Sequence, residues 1–320
     1  MLLNGKPLKM LIFFKTIRWI NLVIIASTMV VIKFVLIEPL LGYKEIASQL
    51  STSIFSLVVL ATLLISAAGY VINDYFDLEI DKINKPEKKH MSEKVLYVIY
   101  WVLNISGLAV AAYLYYYFQN SNILIFFIFV SGALWFYSSQ YKQQLIIGNV
   151  IVAVLTAFVP FLVLWLEMYL IGQSFGHKLQ ILGISLTYVV WWVVGFSFYA
   201  FMLTLIREIV KDIEDFEGDR AFGCHSIPIA FGVGVAKIVV WALLSITIVS
   251  LFYIYANFLR EGITLTYIIL LLVLPLLYAG IKLFAYKTAK ELKQISVLLK
   301  IIMVFGLAYA FVAMHLLGNL

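Results

Sequence analysis

The chain has 320 residues, 64% of them apolar and only 12% charged, with a mean hydropathy of +1.02 and a net charge of +6. That composition excludes a soluble domain, and no nucleic-acid partner is expected. One cysteine, Cys224, excludes an intramolecular disulfide and a cysteine cluster for metal.

The first 17 residues read as an interfacial segment rather than a cleaved signal, because Lys6, Lys9, Lys15 and Arg18 interrupt the apolar residues. Apolar stretches follow at 18–41, 50–73, 95–118, 122–138, 146–169, 184–207, 235–257, 264–286 and 295–317. Their lengths near twenty residues, without strand-like alternation, predict nine transmembrane helices and an all-α bundle forming a single domain over 1–320. Trp191, Trp192 and the Tyr113–Tyr117 cluster read as interfacial belt and packing residues.

Basic residues set the expected orientation. Of 23 Lys and Arg, 19 lie at the N-terminus, the second-to-third connection, Lys142, the sixth-to-seventh connection and the eighth-to-ninth region. The opposite side keeps Lys33, Lys44, Lys178 and Arg260, so the N-terminus and the other loops on its side are expected in the cytoplasm.

Two acidic runs stand out against this background. The second span ends in Asn73-Asp74-Tyr75-Phe76-Asp77-Leu78-Glu79-Ile80-Asp81, and 138 positions after Asp74, beyond the sixth span, Asp212, Asp215 and Asp219 repeat the D-x-x-D-x-x-x-D spacing. At about 100° per residue each run places three carboxylates within about 60° on one helical stripe. The two spans have the same direction, so both acidic ends are expected on the cytoplasmic side and within reach of each other. Six such carboxylates need a cation or a basic partner between them. Hard oxygen donors suit Mg2+, above all where a diphosphate completes the coordination.

Lysines and arginines are interleaved with the aspartates, as suits a polyanion held through both metal and direct ion pairs. A diphosphate head at the interface with a tail among membrane helices describes a polyprenyl diphosphate. Mg2+ and bases would stabilise the departing diphosphate while an acceptor is alkylated at the allylic carbon. A membrane-edge cation pathway is the rival reading from another class; it fits less well because the acids sit at one interface, mixed with bases.

The paired signature resembles that of the UbiA superfamily of intramembrane prenyltransferases over essentially the whole chain. Arg18-x-x-Asn21 is similar to a motif in that family's first helix, and Tyr137-Ser138, Lys142 and Gly148-Asn149 resemble its fourth-to-fifth-helix segment. Within the superfamily, Arg207-Glu208-x-x-Lys211-Asp212 with Asp215-x-Glu217-Gly218-Asp219 is most similar to the digeranylgeranylglyceryl phosphate synthases. The resemblance implies a nine-helix bundle around a central cavity and two Mg2+ held by Asp74, Asp77, Asp81, Asp212, Asp215 and Asp219, with Asp77 and Asp215 at the catalytic centre. It implies substrate contacts for Asn73, Lys142, Arg18 and Asn21, and the basic residues Lys211 and Arg207 beside the second run are candidate contacts for an anionic substrate. For Asn21 and Asn149, interhelical hydrogen bonding is an equal reading.

The expected activity is transfer of a geranylgeranyl-type group to an amphiphilic acceptor, a prenylglycerol phosphate first and an aromatic or quinone precursor second. The chain departs from the family pattern at Glu87-Lys88-Lys89-His90-Met91-Ser92, which bears on the acceptor. Lys33 and Glu167, charged residues within apolar segments, receive no role.

Overall fold

The computed structural model describes residues 6–318, and among these nine helices are long and apolar enough to cross a membrane. A short helix, α1 (Lys6–Thr16), precedes them and exposes Met10, Leu11 and Phe14. The spans are α2 (Trp19–Gly42), α3 (Thr52–Phe76), α5 (Glu93–Phe118), α6 (Ser121–Ser139), α7 (Ile147–Ile181), α8 (Thr187–Glu214), α11 (Val233–Phe258), α12 (Gly262–Ala285) and α13 (Ala289–Leu317). Between them lie α4 (Asp81–Asn84), α9 (Phe216–Ala221) and α10 (Ile227–Phe231).

All nine predicted spans are present, with one large difference in length. α7 runs to Ile181, twelve residues beyond the expected 169, because helical hydrogen bonding continues through residues 170–181 after the uniformly apolar stretch has ended. Trp191 and Tyr116 are 69% and 72% exposed, facing outward as belt residues do.

The apolar interior has two main parts. Met29, Ile32 and Leu36 of α2 pack with Val58 and Ala61 of α3, Ala111 and Leu114 of α5 and Val163 of α7. Ile206 and Ile209 of α8 pack with Val240 of α11, Leu276 of α12 and Leu299 of α13. The cavity described below lies between these halves.

Lys33 and Glu167 belong to neither the cavity nor its mouth. Lys33 Nζ donates to Glu38 Oε1 at 2.7 Å and Ser48 Oγ at 3.0 Å, while Glu167 accepts from Ser48 Oγ at 2.8 Å and from the Gln49 N–H at 2.6 Å. The Lys33 and Glu167 side chains are 1% and 0% exposed, and the network pins the α2–α3 connection onto α7. Removing Glu167 leaves Lys33 its nearer partner Glu38 but strands the Ser48 hydroxyl and the Gln49 N–H. Glu167→Ala should therefore destabilise the protein by about 1–3 kcal/mol, seen as a lower unfolding midpoint in detergent with the activity of the folded fraction retained. An unchanged midpoint would remove the anchoring role.

The connection between α8 and α11, which reads from sequence as one long polar stretch, is built in pieces. β2 (His225–Ser226) pairs in parallel with β1 (Gln144–Leu145) of the α6–α7 connection. This brings the loop carrying Lys142 against the second acidic run.

Candidate active site

Each acidic run starts in the last turn of a long helix and finishes in a separate short one. Asp74 lies in α3, Asp77 caps it, and Asp81 opens α4; Asp212 lies in α8, Asp215 caps it, and Asp219 lies in α9. The expected single continuous stripe is thus interrupted after Phe76 and after Glu214, where Asp77 and Asp215 take the C-cap positions. The winding itself survives, because Asp77 N donates to Asn73 O at 3.0 Å and Asp81 N to Asp77 O at 2.8 Å. Asp215 N to Lys211 O at 2.8 Å and Asp219 N to Asp215 O at 3.1 Å do the same in the second run.

The two runs meet. Lys85 Nζ lies 3.0 Å from Asp215 Oδ1 and 3.5 Å from Asp81 Oδ1, so one ammonium reaches both. Asn84 ties the short helices together: its Oδ1 accepts the Gly218 N–H at 2.8 Å, and its Nδ2 lies 3.5 Å from Asp219 Oδ1.

A Cβ on Gly218 would collide with the Asn84 amide. Gly218→Ala should consequently push α4 and α9 apart and reduce turnover at least about tenfold, a loss of one hydrogen bond's worth of alignment or more. Membrane insertion and the unfolding midpoint should stay near wild type, and full activity would show that the contact is dispensable.

The first run is the more heavily neutralised. Lys88 Nζ contacts Asp74 Oδ1 at 3.0 Å and Asp81 Oδ2 at 2.8 Å, and Asp77 takes Lys142 together with Asn73 Nδ2 at 2.7 Å. Lys88 belongs to the segment that departs from the family pattern, and His90 Nε2 of the same segment lies 3.5 Å from Asp81. In the second run Asp212 accepts from Asn149 Nδ2 at 2.7 Å and Asp219 has Asn84, both neutral amides.

Charge states follow this asymmetry. Burial alone would raise the Asp81 carboxyl, but the hydrogen bond and charge of Lys88 hold it below the usual range. Burial pushes Asp219 up to about 6, with the Asp215 charge adding to the shift. Burial opposes the charge on Lys85 and Lys142, yet Asp215 beside the first and Asp77 beside the second keep both above the ordinary lysine range. Cys224 is buried, and desolvation pushes its thiol up to about 11, which leaves it a poor nucleophile.

Lys142 is positioned by a close approach. A Cβ on Gly148 would lie 2.6 Å from Tyr141 O and 2.9 Å from Lys142 Cα, so only glycine lets the loop fold down on the start of α7.

These groups form the polar end of one cavity. Much of the rest of its lining is apolar or aromatic, with Ile24, Ile65, Phe126, Leu134, Phe158, Val159 and Met303 among the residues. Asn73, Asp77, Lys142, Asp212, Asp215 and Asp219 line it, as do Arg18, Asn21, Arg207 and Lys211. Asp74 and Asp81 stand behind that lining, joined to it through Lys88 and Lys85.

Arg207 and Lys211 do not reach the aspartates: they close on Glu208 at 2.6 Å and 2.7 Å. Arg18, in the left-handed backbone region at φ 51°, turns its guanidinium over the Tyr70 ring and to 3.6 Å from Asp74. Asn21 accepts from Lys300 Nζ at 2.9 Å.

Sequence reasoning placed Lys85 and Lys88 only among the basic residues suited to an anionic substrate and gave Asn84, Glu208 and Lys300 no individual role. Asn84 and Lys85 directly extend the first acidic run, and Lys300 is a lone charge in an apolar segment. Those were the available signals.

A multi-helix membrane cavity with facing acidic runs at one polar end and an apolar chamber behind them defines an intramembrane prenyltransferase. The chain belongs to the UbiA prenyltransferase family, which matches residues 45–315. It is 31% identical over 252 residues to the digeranylgeranylglyceryl phosphate synthase of Saccharolobus solfataricus, covering 76% of this chain and 79% of that one. A solved structure of a digeranylgeranylglyceryl phosphate synthase superposes with a TM-score of 0.59 at 24% identity, covering 96% of this chain and 98% of that chain. A UbiA homologue from Archaeoglobus fulgidus bound to DMAPP and Mg2+ superposes with a TM-score of 0.55 at 17% identity, covering 93% and 98%.

Proposed function

We propose that this integral membrane prenyltransferase moves a geranylgeranyl group from its diphosphate to a prenylglycerol phosphate, with Mg2+ as cofactor and the site open to the cytoplasm. The observation that carries the reading is the sharing of Lys85 between Asp81 and Asp215 at the polar end of an apolar chamber. The acceptor class is supported by the name of the Saccharolobus relative, and the cytoplasmic side by the distribution of basic residues.

The donor set fits Mg2+. All six aspartates offer hard oxygens, and among the described residues no three acidic groups already close on one point. Such a site needs diphosphate oxygens and water to complete a coordination shell, as Mg2+ ordinarily does. Asp77, Asp212, Asp215 and Asp219 would hold the metal from the cavity side, with Asp74 and Asp81 supporting from behind. When bound, Mg2+ would neutralise charge on the departing diphosphate.

The protein's own groups do the rest. Lys142, Lys85 and Asn73 offer N–H donors at the polar end and would orient the diphosphate. Phe126 and Phe158, in edge-to-face contact at 5.7 Å, help keep the chamber dry around an allylic carbon carrying positive charge. The acceptor hydroxyl oxygen forms a C–O bond to that carbon as the C–O bond to diphosphate breaks. The bonding pair leaves with diphosphate, and the hydroxyl proton passes to water at the polar mouth.

The direct test incubates purified protein with labelled geranylgeranyl diphosphate, Mg2+ and a panel of acceptors, and identifies products by mass. Prenylation of a prenylglycerol phosphate is the expected result. Selective prenylation of an aromatic acid would replace the acceptor assignment, and Mg2+ flux in liposomes without any prenyl transfer would replace the enzyme by a transporter.

A further inference from the structure

The cavity has a second charged wall, separate from the aspartate grid. Arg18, Arg207, Lys211 and Lys300 all line it, contributed by the start of α2, by α8 and by α13. One carboxylate, Glu208, stands among them and takes both Arg207 Nη1 and Lys211 Nζ. Arg18 is shared with Asp74 at a loose 3.6 Å.

Lys300 has a neutral partner, the Asn21 side-chain oxygen at 2.9 Å, and lies in the field of Arg207, Lys211 and Arg18. Arg207 Nε is buried and, among the described residues, has no hydrogen-bond partner. Positive charge is therefore in excess here, and at least one guanidinium donor is unsatisfied.

Such an arrangement is costly in a membrane protein unless an anion completes it. Lys300 sits in the apolar run Ile295–Ile302 and lines the cavity, so simple reach to the membrane surface does not account for its placement. A carboxylate ligand would supply one negative charge, whereas a phosphomonoester supplies about −1.5 to −2 with three acceptor oxygens.

With Arg18 partly paired to Asp74, Arg207, Lys211 and Lys300 surround one internal carboxylate, and that excess matches the phosphomonoester better. Arg207 and Glu208 precede Asp212 by five and four residues, about 6–8 Å along α8, and Lys211, next to Asp212 in sequence, reaches back to Glu208. A glycerol backbone sets a comparable separation between its phosphate and the carbon its hydroxyl attacks.

We propose that Arg207, Lys211 and Lys300, with Arg18, form the seat for the phosphomonoester headgroup of the acceptor, distinct from the diphosphate site at Lys142 and Lys85. This assignment rests on the glycerol phosphate acceptor proposed above. Glu208 holds the Arg207 and Lys211 side chains in place, and Asn21 holds Lys300.

The test uses full-length protein in detergent with geranylgeranyl diphosphate and Mg2+, comparing wild type with Lys300→Gln and Lys300→Arg. Acceptors are geranylgeranylglyceryl phosphate and the same glycerol ether without phosphate. Lys300→Gln should raise the KM for the phosphorylated acceptor about tenfold or more, a charge-assisted hydrogen bond being lost. The KM for geranylgeranyl diphosphate should stay within about twofold, kinetics with the unphosphorylated ether should not change, and Lys300→Arg should recover most of the loss. Equal increases for both substrates, or an equal increase for the unphosphorylated ether, would overturn the seat.

A binding arm separates this proposal from the transfer reading. A dialkylglycerol phosphate, with no free hydroxyl to react, is titrated calorimetrically into wild type and Lys300→Gln. Lys300-dependent binding in a protein that transfers no prenyl group to glycerol phosphates would sustain the seat while sinking the proposed reaction. Indifference of that binding to Lys300 would sink the seat even if the reaction is found.

Discussion

Asp215→Ala is expected to lower kcat by at least about a hundredfold to a thousandfold, the scale of losing one preorganised group that stabilises developing charge. The unfolding midpoint should move little. Asp215 is 17% exposed and its basic partner Lys85 is 35% exposed, so the ammonium left behind can be hydrated by water at the mouth. Asp215 also shares Lys85 with Asp81, which makes it the point where the two acidic runs are joined. Asp77→Ala should be at least as damaging to turnover, with an added stability cost, because Asp77 is 7% exposed and holds both Lys142 and Asn73. Steady-state kinetics with thermal unfolding of the same preparations checks both, and near-normal turnover in Asp215→Ala would remove the aspartate grid from the mechanism.

Lys142→Ala should raise the KM for the prenyl diphosphate about ten- to a hundredfold, as expected for a lost hydrogen bond between charged groups. The acceptor KM should change far less. The difference arises because Lys142 stands with Asp77 at the aspartate end of the cavity, while Arg207 and Lys211 occupy the wall around Glu208. Its raised pKa keeps the ammonium protonated throughout the neutral range, so the defect should be the same at pH 6.5 and pH 8.5. Equal losses for donor and acceptor would show that Lys142 acts on the site as a whole. Loss confined to high pH would show that its charge is not held as the geometry requires.

Much of this site is readable in one dimension because membrane helices obey strong local rules. Backbone hydrogen bonds have to be satisfied within each span, so hydropathy alone delimits nine helices, and the four-span interval between the acidic runs gives them the same direction. Repetition of the aspartate spacing then marks a joint site, since six carboxylates at one interface need a common counter-charge. The length of α7 escaped the same reasoning because a helix can outlast its apolar stretch.

The division of labour among the basic residues was not readable in that way. Arg207 and Lys211 precede Asp212 in sequence, which marks them as substrate contacts without saying for which part of the substrate; on the folded helix both turn to Glu208. Lys300, 279 residues from Asn21, reaches it only through the packing of α13 beside α2. Asn84 and Gly218, 134 residues apart, are a contact that depends on two short helices meeting beyond the ends of two long ones.

The sequence by itself determined the class of protein: the number and direction of the spans, the paired acidic runs and the chemistry of their oxygens. Only the tertiary structure decided which ammonium serves which carboxylate and where positive charge is left uncompensated. The reason is physical: hydropathy and helical period act over one or two turns, whereas the balance of charge in a cavity depends on side chains brought together from helices far apart in the chain.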